Sequence, residues 1–72
     1  MTIEEFRNFG WKAGMEVKFM EEDTTSYDIV GVDFNHNCAW TGGFDEDSMD
    51  IFYPGLIGSI LNPDGTVAWR AK

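Results

Sequence analysis

Apolar and polar residues alternate with a period of two along most of this chain, the spacing of β-strands that bury one face. Met15-Glu16-Val17-Lys18-Phe19-Met20 puts Met15, Val17 and Phe19 on one side, with Glu16 and Lys18 on the other, and predicts the first strand. Tyr27 to Trp40 reads as the central hairpin. Val30, Val32 and Phe34 alternate on one side, Asn35-His36-Asn37 tolerates the left-handed backbone of a turn, and Cys38-Ala39-Trp40 resumes the apolar run. Gly31, in the middle of the second strand, predicts a bulge, a bend or a close backbone approach. Asp50-Ile51-Phe52-Tyr53 predicts a short fourth strand ended by Pro54-Gly55. The last hairpin pairs Leu56 to Leu61 with Thr66 to Arg70 across Asn62-Pro63-Asp64-Gly65, which has Pro at the second turn position and Gly where φ is positive.

The period changes to that of a helix only near the start. Thr2 followed three positions later by Glu5 fits a capping box, Ile3, Phe6 and Phe9 form an i, i+3 stripe, and Gly10 suits the position just past the helix end. Glu21-Glu22-Asp23-Thr24-Thr25-Ser26 contains no apolar residue, so a solvated loop is expected between the first two strands.

These elements predict a mainly β protein: a small bent antiparallel sheet or partly open barrel of about five strands, preceded by a short N-terminal α-helix. The alternative is an α+β arrangement, with the helix packed flat on an open antiparallel sheet. The polar loop after the first strand, the two tight hairpins and the glycine-kinked second strand make residues 14 to 70 resemble a Src-homology-3 (SH3-like) barrel. That resemblance is one of layout and implies a fold without a function.

Composition narrows the picture. Seventy-two residues suggest one domain, residues 1 to 72, and a chain this short buries only about 60% of the surface its unfolded form exposes. The six Phe, three Trp and two Tyr are therefore read mostly as core. The single cysteine, Cys38, closes no intramolecular disulfide. With no apolar run near the roughly 20 residues that span a bilayer, and no signal-peptide pattern, a cytoplasmic protein is expected.

Charge changes the picture most. Thirteen Asp and Glu against five Lys and Arg give a net charge of −8. Arg7, Lys12, Lys18, Arg70 and Lys72 flank the chain, and residues 19 to 69 hold ten acids with no Lys or Arg. Nucleic acids and anionic membranes are disfavoured as direct partners, since both are bound through cationic side chains.

Candidate chemistry is sparse. Asp33, His36 and Cys38 lie close in sequence, but one His and one Cys without an oxyanion turn read as a turn histidine and a small buried hydrophobe rather than a catalytic or metal site. Asp45, Asp47 and Asp50 invite a calcium reading. The spacing fails it, since Met49, Asp50 and Leu56 stand where an EF-hand loop needs a ligand, Gly and Glu. No cofactor, metal or catalytic constellation is predicted.

The remaining pattern is aromatics beside acids. Trp40, Phe44, Phe52 and Tyr53 bracket Asp45, Glu46, Asp47 and Asp50, with Glu21, Glu22 and Asp23 as a second acidic group. Aromatic faces and carboxylates attract cationic side chains. The blander reading makes Trp40 and Phe52 core and the acids solubilising. The expected function is a non-catalytic protein-binding module for a basic partner surface, with Tyr53, Phe44 or Trp11 as aromatic anchors. One form of it is an inhibitor that mimics nucleic-acid charge, by analogy with small acidic proteins that phages use against host nucleases. The alternative is an assembly protein that self-associates or docks through a strand edge, prompted by Leu and Ile on both faces of Leu56 to Leu61.

Overall fold

The computed structural model describes residues 1–42 and 50–71, without the side chains of Glu22 and Asp23. Among these residues it is an open antiparallel sheet of six strands with one short helix. Helix α1 (Ile3–Asn8) is followed by β1 (Glu16–Phe19), β2 (Glu22–Asp33), β3 (Cys38–Thr41), β4 (Asp50–Phe52), a 3-10 turn (Pro54–Leu56), β5 (Ile57–Leu61) and β6 (Val67–Arg70). The strands lie in the order β4-β3-β2-β1-β5-β6, which leaves β4 and β6 at the two edges.

The capping box forms in both directions. The Glu5 amide donates to the Thr2 hydroxyl at 3.0 Å, and the Thr2 amide donates to the Glu5 carboxylate at 2.9 Å. Phe6 is fully buried and Phe9 packs against the core, but Ile3 is more than half exposed, so the predicted stripe is one residue shorter. Gly10 does not adopt the left-handed cap expected of it. The helix ends because Phe9 turns to extended backbone, at φ −70° and ψ 142°.

The stretch expected to be a loop, residues 21 to 26, is corrected here. Only Met20 and Glu21 turn; Glu22 to Ser26 begin β2, where Glu22 pairs with Phe19 and Tyr27 with Val17. Polar composition misled because an exposed strand needs apolar residues only on a face that packs, whereas its backbone bonds are satisfied by β1 whatever the side chains are. The long loop on which the barrel resemblance partly rested is therefore a tight turn. The two tight hairpins and the kinked second strand are present.

β2 is shared between the two halves of the sheet, its first part pairing with β1 and its last part with β3. The bulge predicted at Gly31 lies between Ile29, opposite Thr41, and Gly31, opposite Trp40. It also corrects the facing of Val30. As the extra residue of the bulge Val30 is 56% exposed, while Ile29 and Val32 on either side pack against the core. Phe34 lies in the turn, its ring 5.8 Å from that of Phe6.

The core holds Phe6, Met15, Val17, Ala39, Phe52, Ile57 and Ile60, all 2% exposed or less. Cys38 is buried as a free thiol. The helix spans one end of the sheet: the Trp69 indole N–H on β6 donates to Glu5, and the Arg7 guanidinium donates to the β2–β3 turn. Among the described residues no helix is long and apolar enough to cross a membrane.

Candidate functional site

The exposed apolar side chains Met20, Ile51 and Leu56, at 60%, 54% and 51% exposure, come from two parts of the chain, the β1–β2 turn and the stretch from β4 to the 3-10 turn. They line one groove of about 560 Å³ together with Phe19, Phe52, Gly55, Glu21 and Asp50. β1 supplies Phe19, whose ring packs edge-on to Phe52 with centroids 5.5 Å apart, and this pair forms the groove's link to the core.

Each wall has a local cause. Met20 and Glu21 are the β1–β2 turn, and the Met20 amide donates to the Leu56 carbonyl at 3.0 Å. Pro54 opens the 3-10 turn, where its fixed φ is suited to the first position, and the Leu56 amide donates to the Tyr53 carbonyl at 3.0 Å. A Cβ on Gly58 would fall 3.1 Å from the Met20 backbone nitrogen, so a side chain there would push the two segments apart. The third wall is β4, held in register by Ile51 opposite Trp40 and Phe52 opposite Ala39. The groove is thus braced by backbone bonds before anything enters it.

Its electrostatics are one-sided. Glu21 and Asp50 are exposed carboxylates, and among the described residues no Lys, Arg or His lines the groove. Two of the chain's cations lie in another groove, where Lys18 and Arg70 sit in cross-strand register on either side of Ser59. Arg7 is engaged with the Phe34 carbonyl and the Asn37 side chain.

Of the residues the sequence marked for partner binding, Glu21 and Asp50 are brought together here. Glu22 and Asp23 open β2, and Trp40 and Tyr53 do not line the groove. Tyr53 is 56% exposed beside it in sequence, while Trp40 is half-buried with its ring over Gly31. Phe44, Asp45, Glu46 and Asp47 lie outside the described residues. Trp11, expected as an anchor, is partly buried: its indole N–H donates to the Phe6 carbonyl at 2.9 Å and its ring packs on Phe6 and Phe9.

Met20, Ile51 and Leu56 were not marked from sequence as binding residues. A signal was present for each. Met20 is apolar on the face where Glu16 and Lys18 are polar, Ile51 and Phe52 are adjacent in a strand and cannot share a face, and Leu56 opens the run with Leu and Ile on both faces.

Asp33 and His36 form a pair of a different kind. The Asp33 carboxylate accepts from the Asn35 amide at 2.8 Å and the His36 amide at 3.2 Å, and lies 2.7 Å from His36 Nδ1. The bond to the His36 side chain is the largest influence holding the Asp33 carboxyl below its ordinary range. This arrangement closes the turn on an exposed surface. Among the described residues no three His, Cys, Asp or Glu side chains gather as metal ligands would.

With two carboxylates and apolar walls, the groove can hold an apolar side chain and pair with cations beside it. Comparison with protein-family models, with curated proteins and with solved structures finds no match to this chain.

Proposed function

We propose that this chain is a non-catalytic protein-binding module, and that its acidic groove takes a basic surface of a partner protein. The observation that carries the reading is the groove itself: exposed Met20, Ile51 and Leu56 between the carboxylates of Glu21 and Asp50, in a chain without Lys or Arg from residue 19 to 69. Exposed apolar area rimmed by charge of one sign favours a partner of the opposite sign, with carboxylates steering the encounter and apolar contact slowing its release. Where that partner is a nucleic-acid-binding protein, occupying its cationic surface would block the nucleic acid.

Binding to a panel of basic nucleic-acid-binding proteins at low and high salt tests this. Affinity that falls with salt, and falls again in a Glu21→Gln, Asp50→Asn double variant, supports it. Absence of binding at low salt, or affinity indifferent to both changes, overturns it. Self-assembly is the second reading, favoured by the exposed Val67 and Ala68 on the edge strand β6. Light scattering that finds a monomer at high concentration counts against it.

A further inference from the structure

We propose that the groove is a strand-acceptor site, which takes an extended partner segment of alternating apolar and cationic residues along the free edge of β4; this rests on the protein-binding reading above.

Successive residues of a strand point to opposite faces, so a groove lying over one face of β4 would touch Ile51 alone, or Asp50 and Phe52. All three line it. A groove along the strand's edge, where the backbone is within reach, meets all three. β4 pairs with β3 on one side, and no described strand pairs with it on the other. Edges of this kind carry unpaired amides and carbonyls that a further strand can satisfy.

Edge strands that must stay solitary are usually guarded by charge or proline. β4 carries Asp50 at its start and Pro54 follows its end, but its central residue is Ile51, more than half exposed, and the facing wall presents Met20 and Leu56. An extended segment meets all of these features at once. Its backbone bonds to β4, every second side chain enters between Met20, Ile51 and Leu56, and the alternate side chains reach out beside Glu21 and Asp50. Charge complementarity makes those alternate residues Lys or Arg, because among the described residues no cation lines the groove while Glu21 and Asp50 do. A helix would bring side chains to the edge and leave its backbone groups unpaired.

The probe is a synthetic peptide of alternating lysine and valine, titrated into the isotope-labelled full chain and followed by amide NMR shifts. Two controls accompany it: the same peptide N-methylated at every second residue, and a peptide of equal charge with its lysines and leucines at helical spacing. The expected result is movement of the Asp50, Ile51 and Phe52 amides on binding. N-methylation on the bonding side should weaken binding by about tenfold or more, the equivalent of losing one or two backbone bonds. Ile51→Lys should abolish binding while leaving the circular dichroism of the fold unchanged, its side chain lying at the surface.

Equal affinity for the helical peptide and no effect of N-methylation would overturn the strand-acceptor site and leave the acidic groove standing. Peptide binding that moves only amides away from β4 overturns it in the same way. Failure of every basic peptide and protein to bind at low salt overturns both readings. A dimer whose β4 amides shift on dilution without peptide would make a second copy the occupant, and overturns the basic partner segment.

Discussion

The Arg7 guanidinium donates to the carbonyl of Phe34 at 2.6 Å and, from the same nitrogen, to the Asn37 side chain at 3.1 Å. A helix of six residues is thereby tied to a turn 27 positions away, beside the one described non-glycine residue with positive φ, Asn37 at 51°. Charge-assisted bonds to a backbone carbonyl are stronger than neutral ones, but this pair is exposed and water competes. Arg7→Ala is expected to cost about 1 kcal/mol, and Arg7→Lys less. Thermal unfolding checks this, since about 1 kcal/mol lowers the Tm of a domain this size by about 4–8 °C. An unchanged Tm would mean the tie carries no stability.

Phe6 is the part of that helix the core needs. It is fully buried, with the rings of Trp11 and Phe34 at 5.2 and 5.8 Å. Phe6→Ala should destabilise by about 3–5 kcal/mol through lost burial and the cavity left behind, enough to remove cooperative unfolding from so small a core. Ile3→Ala on the exposed side of the same helix should stay within about 0.5 kcal/mol. Urea denaturation of the two variants separates them, and similar losses would contradict the placement of the helix.

Two glycines make a matched test of packing. A Cβ on Gly58 would lie 3.1 Å from the Met20 nitrogen and 3.2 Å from both Met20 Cα and Phe19 C, all backbone atoms that have little room to move. Gly58→Ala should destabilise by about 1–3 kcal/mol and weaken any ligand of the groove, whose wall it would displace. Gly10 has nothing within 4 Å of such a Cβ and does not have positive φ. Gly10→Ala should therefore stabilise by about 0.4–1 kcal/mol, by narrowing the unfolded ensemble. The opposite order of stability would show that β5 does not approach the β1–β2 turn this closely.

Acid should act on Asp33 in a definite direction. Its carboxyl is held below the ordinary range, first by the His36 side chain and further by the Asn35 and His36 amides. The folded form thus binds this proton less readily than the unfolded one. Stability from Asp33 is fully present above the ordinary aspartate pKa of about 4 and is lost as pH falls through the lowered folded value. Glu5, held down first by the Thr2 amide, and Asp64, held down first by the Thr66 hydroxyl, act with the same sign. Protonation also relieves the repulsion of a chain carrying −8, so the informative quantity is the difference between the parent and Asp33→Ala. That difference should shrink as pH falls below about 4. A difference that grows with acid would reverse the sign of the assignment.

The sequence by itself determined the features whose partners lie within a few residues. The Thr2–Glu5 box, the turn at Asn35 to Asn37 and the Asn62 to Gly65 turn all close through bonds spanning two to four positions, so residue type at fixed spacing is enough. The β-rich class was legible because alternation marks a strand whichever partner it finds. Only the tertiary structure decided what depends on that partner. Pairing with β1 turned Glu22 to Ser26 from loop to strand, and the bulge opposite Trp40 moved Val30 outward. Packing on Phe6 and Phe9 left Trp11 partly buried. The groove belongs to the same class. Met20, Ile51 and Leu56 meet because the sheet places β4 at one edge and a backbone bond joins Met20 to Leu56 across 36 positions. Neither spacing nor composition encodes such a meeting, since it follows from long-range register, which a strand acquires only when its neighbours are in place.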